Sequence, residues 1–498
     1  MCTVPLISFF IITILSFWLL KRWRNRKTFP GPVGKPFVGV LFDFDLTTLH
    51  LKLYEWSQQH GNVFEFAVMG QRFIVLNCSD AAREIFLKEP NASIAAARPS
   101  TFFGKYLQEN YEDVFFASPD SKWTKRRKLV HRLLHAYGED LVNNEHQIKQ
   151  NLVGLIKEIQ NLHDQCFDPR SNVEEFILNG IENLMTGNCT GRDSEMHRIM
   201  KQFDHISNDL GNVGIDMLYS FFPFLRFLPL SYSQKIKEWF KLKQQFIGTL
   251  EKQAVHDAGK KGIYHSLKKI TQEKDSHGQQ WFTDVNVHCL LINVVTGGYL
   301  TTRGALLSLI QILAKRPELQ RAMQDEIDSV TGTTREPALA DRHQCHLVEA
   351  VTLETLRYIS HGVITPHCTS QATEILGVPV GKNTPILLNF WTIHHNAEEW
   401  QEPFSFRPER FLDKDGSLLP STDPVRKRMI VFGLGKRSCV GEAFARARMF
   451  LFVATVLQSF TITEPDDADL SDLLPREMET GHILQPKPYK VRFILREK

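Results

Sequence analysis

The chain has 498 residues, 43% of them hydrophobic, and a formal net charge of +3. So near-neutral a balance gives no reason to expect a nucleic-acid partner, and no low-complexity linker or internal repeat divides the chain. Its eight cysteines are scattered, with no C-x-x-C pair and no zinc-ligand spacing, which argues against a disulfide scaffold and for a reduced, cytosolic-facing body.

Val4 to Leu20 is uncharged and almost wholly apolar, and the basic run Lys21 to Lys27 follows at once. Seventeen residues lie at the lower limit for a bilayer-spanning helix, roughly 17–25, and the basic run would hold that end in the cytosol. A cleaved signal peptide is the weaker reading, because the charges come after the apolar run and no small-residue cleavage site appears. Phe29-Pro-Gly-Pro-Val-Gly34 reads as a stiff, extended connector. Asn62 to Asn77 reads as a strand hairpin turning at Met69-Gly70, and Pro90 to Gln108 as an irregular apolar loop. Ser121 to His135 reads as a helix with Trp123 and Arg127 on one face, four residues apart. Taken alone, that pair is equally a core tryptophan beside a surface charge. From about 140 to 280 the pattern is helical and carries no chemistry. Within it, Asp216 to Leu230 is too apolar and too broken by proline for an ordinary surface loop. Contact with a membrane or partner and burial in the core are both open there.

Asp284 to Lys315 reads as a long amphipathic helix capped at Thr283/Asp284, on the order of 48 Å long. Gly297 and Gly298 interrupt it at about 1 kcal/mol each relative to alanine, so the missing side chains should serve something. Further helices are predicted over Pro317 to Val330, stopped by Thr331-Gly332, and over about Leu347 to Tyr358. The second carries Glu354 and Arg357, three apart on one face, and Arg410 lies in Phe406 to Phe411. Ile375 to Ile393 reads as strands, and Ile483 to Leu495 as a final hairpin. Between them, Phe432 to Gly441 places Cys439 in a tight glycine-bearing loop just before a helical run from Glu442 to Phe460. Such a loop can offer N–H groups to a sulfur, and the helix's positive end favours a thiolate.

Phe432, Gly435, Arg437, Cys439 and Gly441 match the F-x-x-G-x-R-x-C-x-G signature of cytochrome P450 without a mismatch. The chain resembles that family, in its eukaryotic microsomal form, from the apolar N-terminus to the last predicted strands. It is similar to the clan of xenobiotic- and steroid-hydroxylating members. The resemblance implies a mainly α fold with small β-sheets (α+β), the cytochrome P450 fold with an N-terminal transmembrane anchor. It divides into an anchor with its basic stop (1–27), a proline-rich hinge (28–36) and a single catalytic domain (37–498). It implies haem b (iron protoporphyrin IX) ligated by Cys439, with Phe432, Arg437 and Gly441 shaping the loop around it. Trp123 and Arg127 match the family's W-x-x-x-R, whose members contact a haem propionate, and His367 stands where the family often places a further propionate ligand. Thr296 to Thr302 aligns with the oxygen-binding A/G-G-x-D/E-T-T, which makes Thr301, with Gly298 and Thr302, the catalytic candidates. Leu300 stands where that motif has an acid, so proton delivery by a carboxylate is in doubt. Glu354, Arg357 and Arg410 are implied as a structural set.

The activity implied is insertion of one oxygen atom from O2 into a lipophilic steroid, fatty acid or xenobiotic. Electrons would come from NADPH-cytochrome P450 reductase, with cytochrome b5 a second candidate donor, at the endoplasmic reticulum membrane and in contact with its lipid. Lys122, Lys125, Arg126, Lys128 and Arg132, with Arg426, Lys427 and Arg428, are candidates for a reductase-docking face through charge steering. Two alternatives stay open: a family-type isomerase or dehydratase acting on a lipid peroxide without reductase, and a haem-binding protein without turnover.

Overall fold

The computed structural model describes residues 27–139, 141–256, 262–274, 278–332, 334–466 and 470–497. The expected anchor helix and its basic stop lie outside the described residues, apart from Lys27. Among those described, no helix is long and apolar enough to cross a membrane.

The hinge is stitched to the body. Phe29 N donates to Glu65 Oε2 at 3.0 Å, and Glu65 N to Pro30 O at 2.8 Å. A Cβ on Gly31 would lie 1.8 Å from the Glu65 carbonyl oxygen, so only glycine permits this approach. The expected hairpin forms as β1 (Val63–Val68) and β2 (Gln71–Leu76), paired antiparallel about Met69-Gly70. Strands β3 (Thr365–Cys368) and β6 (Pro385–Leu388) complete a four-stranded sheet in the order β1-β2-β6-β3. Two ribbons are separate: β4 (Thr373–Ile375) with β5 (Val378–Val380), and β7 (Phe460–Thr463) with β8 (Arg492–Leu495).

Three expectations are corrected. Residues Phe390–His395 form a short helix, opened by Asn389 accepting from Thr392 N, where a strand was predicted. The tail is no hairpin: β8 pairs with β7, because Pro486 and Pro488 have no N–H to give a ladder nearer by. The long helix, Asp284–Ala314, is a core helix and not an amphipathic one, every residue from Thr302 to Ala314 being buried. Its start does follow the expected cap, with Thr283 N donating to Asn286 Oδ1 at 2.9 Å. It packs against the helices Arg170–Thr186, Glu195–Leu210 and His346–Ile359, and against the helix Glu442–Ser459 that follows Cys439.

Candidate active site

The cysteine loop is folded by its own backbone. Gly433 N donates to Ile430 O and Cys439 N to Phe432 O, each at 2.7 Å, around a 3-10 turn at Gly435–Arg437. Gly433 (φ 74°) and Gly435 (φ 58°) take left-handed conformations, and a Cβ on Gly435 would stand 2.3 Å from Phe86 O. The loop is thereby pressed onto the helix Ser79–Leu87. Cys439 is accessible, yet burial of its surroundings is the first cause raising its thiol pKa. The Gly441 N–H and Arg127 act the other way, while Glu442 adds to the rise. Burial therefore opposes the N–H and the arginine at this sulfur, and coordination to a metal ion is what removes the proton of such a thiol outright.

Beside the loop stand three arginines with no carboxylate at ion-pair distance among the described residues. Arg437 donates to the carbonyls of Ala96 (2.7 Å), Val114 (3.2 Å) and Ala117 (2.5 Å). Arg98 donates to Phe115 O at 2.9 Å and Pro366 O at 2.5 Å, and Arg127 to Ser438 O at 2.5 Å. Burial, then mutual repulsion, lowers the Arg437 pKa to about 8; burial lowers that of Arg98 to about 10, with Arg127 adding to the fall and Asp113 opposing it. Trp123 lies between Arg437 and Arg127, their guanidinium carbons 4.4 and 5.6 Å from its ring centre, and its Nε1 donates to Val114 O at 2.9 Å. His367 is buried on β3 against Phe86 with Nδ1 unpartnered, its pKa lowered by burial, then Arg98 and Arg437. Three cations, of which Asp113 offsets Arg98 and Arg437 from a distance, with an orphaned imidazole nitrogen, suit an anionic ligand, and a haem with two propionates beside a thiol meets that description. Arg98 was missed in the sequence, although a lone arginine in an otherwise apolar loop was the available signal.

On the long helix, Thr301 Oγ1 donates to Gly297 O at 2.7 Å. Gly297 is exposed, and a Cβ there would meet nothing within 4 Å. Residues 297 and 301 therefore form the open face, one turn apart. Gly298 instead lies against Ile181, whose Cδ1 would be 3.5 Å from an added Cβ, while Leu300 and Thr302 are buried. Of the three catalytic candidates, Thr301 stands on the open face; Gly298 and Thr302 are turned toward protein. Gly297 replaces Gly298 as the glycine that clears space.

Glu354 and Arg357, both fully buried, pair at 2.7 Å, and Arg410 Nε reaches Glu354 Oε1 at 3.2 Å. Arg357 also donates to His394 O (2.7 Å) and Pro403 O (2.9 Å), which ties the segment before the cysteine loop to the helix His346–Ile359. The basic face is smaller than expected. Arg126 is buried and paired with Glu112 at 2.7 Å, and Arg426 and Arg428 are half-buried, donating to the carbonyls of Leu419 and Glu399. Lys122, Lys125, Lys128, Arg132 and Lys427 remain exposed.

The family model for cytochrome P450 matches residues 29–493. Human (Homo sapiens) cytochrome P450 1A2 is 30% identical, over 93% of this chain and 92% of its own. Chicken (Gallus gallus) steroid 17-alpha-hydroxylase/17,20 lyase is 28% identical, over 98% and 97%. A zebra fish cytochrome P450 structure with progesterone aligns at a TM-score of 0.77 and 26% identity, covering 90% of this chain and 99% of that one. The accessible Cys439, the arginines beside its loop and the open turn at Gly297 thus stand in a fold matched along nearly its whole length, and the chain belongs to the cytochrome P450 family of haem b monooxygenases.

Proposed function

We propose that the protein is a microsomal haem-thiolate monooxygenase that inserts one atom of O2 into a C–H bond of a lipophilic substrate, with electrons from NADPH-cytochrome P450 reductase. The observation that carries this reading is the accessible Cys439 beside the arginine cluster. Bound haem supplies oxygen activation and atom transfer. The chain's residues do the rest. Cys439 Sγ would be the iron ligand, with the Gly441 N–H and Arg127 stabilising its negative charge. Arg98, Arg127, Arg437 and His367 would hold the propionates. Thr301 Oγ1, anchored on Gly297 O, keeps lone pairs free to accept a hydrogen bond from water on the open side of the helix and so to position that water. Leu300, 2% exposed, offers no carboxylate there, so Thr301 and water carry proton delivery.

With purified reductase and a substrate chosen by its spin-state shift, NADPH should be consumed and hydroxylated product formed. General acid–base assistance is worth about 10²–10⁴-fold, so Thr301→Ala should lower product per NADPH and release more hydrogen peroxide. Rapid turnover of a lipid hydroperoxide with no response to reductase would move the protein to the isomerase reading.

The same proposal places the protein on the endoplasmic reticulum membrane, with residues 1–27 as anchor, 28–36 as hinge and 37–498 as catalytic domain. Phe224 and Phe227, on the 3-10 turn Pro223–Phe227, are 59% and 73% exposed. Phe37 and Phe42 are exposed too, and Asn212 Nδ2 donates to Thr47 O at 3.2 Å, tying the residues that precede one stretch to those that follow the other. Residues 28–498 should therefore still float weakly with lipid vesicles. A truncated protein that stays wholly with the soluble fraction would rule out lipid contact by this surface.

A further inference from the structure

Away from the haem site, three unlike donors meet between two helices. Glu182 ends the helix Arg170–Thr186, His197 begins the helix Glu195–Leu210, and Cys189 lies on the turn joining them. One donor atom from each lies within 4.8 Å of the other two. His197 Nε2 and Glu182 Oε2 are 3.1 Å apart, and His197 Nδ1 is 3.3 Å from Glu175 Oε2. Glu182 is held from its other side as well, Oε1 accepting from Thr190 Oγ1 (2.7 Å) and Gln253 Nε2 (2.9 Å). The side chains of Glu182 and His197 are 1% and 2% exposed.

We propose that Glu182, Cys189 and His197 form a zinc site distinct from the haem. Thiolate, imidazole and carboxylate are the three ligand types zinc takes, and water would fill the fourth tetrahedral position. Two ligands at about 2.0–2.1 Å in a tetrahedron stand about 3.3 Å apart, close to the spacing of Nε2 and Oε2. Glu175 on the other ring nitrogen is the carboxylate–histidine arrangement that orients a zinc ligand. The occupant in zinc's absence is a proton shared by Nε2 and Oε2. Binding releases that proton and the Cys189 thiol proton, leaving the buried charge unchanged. A salt-bridged Glu-His-Glu triad explains two of the donor types, and the Cys189 thiol donates to Asn179 Oδ1 at 2.7 Å, so the sulfur is the donor on which the test turns. The ion would join the two helices directly behind Ile181, the residue that packs on Gly298 of the long helix.

The test uses the full-length haem protein, treated with EDTA, reloaded with zinc and dialysed. Plasma mass spectrometry should find one zinc per haem iron. Zinc-edge X-ray absorption should show one sulfur at about 2.3 Å and nitrogen or oxygen neighbours at about 2.0–2.1 Å. Cys189→Ser, which keeps a donor toward Asn179 Oδ1, should fold with haem and lose zinc. Glu175→Gln should weaken zinc binding about 10–100-fold, as outer-shell changes do. Wild-type protein that retains no zinc, zinc retained equally by Cys189→Ser, or an absorption spectrum without sulfur would each overturn the site and leave the proton-filled triad. None of these outcomes touches the haem assignment, which is read from iron and the Soret band.

Discussion

Cys439→His should abolish the red-shifted Soret band of the ferrous–CO complex and with it all oxygenation. The band reports a thiolate on iron, and Cys439 is the cysteine of the signature loop. Cys289, Cys345 and Cys368 are buried, their thiols pushed up to about 12, 12 and 11 by burial. Cys166 is exposed as well but lies outside the signature loop, whereas Cys439 is exposed within it, receives a backbone N–H from Gly441 and has Arg127 beside it. The loop backbone does not depend on that side chain, since its hydrogen bonds run through Cys439 N, Gly433 N and Ser438 N. The variant should therefore fold and retain some haem, which separates loss of the ligand from loss of the fold. A red-shifted band surviving in Cys439→His would place the iron elsewhere.

Arg357→Ala should cost about 3–5 kcal/mol and yield little haem-containing protein, because removing one partner of a buried ion pair strands the other. Glu354 would keep only Arg410 at 3.2 Å and the Arg407 N–H at 2.8 Å, both on the segment that Arg357 itself holds in place. The carbonyls of His394 and Pro403 would lose their donor in the same step. Lysine in its place keeps the charge but not the fork, so Arg357→Lys should recover only part of the loss. Denaturant unfolding followed by both haem absorbance and circular dichroism checks this. A wild-type midpoint in Arg357→Ala would show the triad to be dispensable.

What could be read in the sequence was whatever is carried by local order. The hairpin at Met69-Gly70, the cap at Thr283, the stop at Gly332 and the loop of Cys439 each depend on residues within a few positions. The i,i+3 and i,i+4 pairs, Glu354 with Arg357 and Trp123 with Arg127, were legible for the same reason. Sidedness was not. Thr301 and Thr302 are adjacent in sequence and differ by about 100° around the helix, and only the packing of Ile181 and Gln485 shows which faces open space. Leu300 is the instructive case: as a letter it is a missing acid, and in the fold it is a core residue whose carbonyl accepts from Gln485 at 3.1 Å. An aspartate there would be buried, so the substitution that restores the motif would carry a desolvation cost. Arg126 reads like its basic neighbours until Glu112, fourteen residues earlier, is seen to bury it. Glu182, Cys189 and His197 follow no ligand spacing at all, since two helices bring them together.

If the arginine cluster holds the propionates as proposed, haem is a folding ligand as well as a cofactor. Arg98, Arg127 and Arg437 disfavour one another's charge, and propionates held among them, as the proposed function has it, would relieve that repulsion. By mass action a ligand that binds only the native state stabilises it by about 2.7 kcal/mol at one hundred times its dissociation constant. The amount of folded enzyme in a cell is then tied to the free haem concentration, and a cell short of haem loses the protein itself as well as its activity.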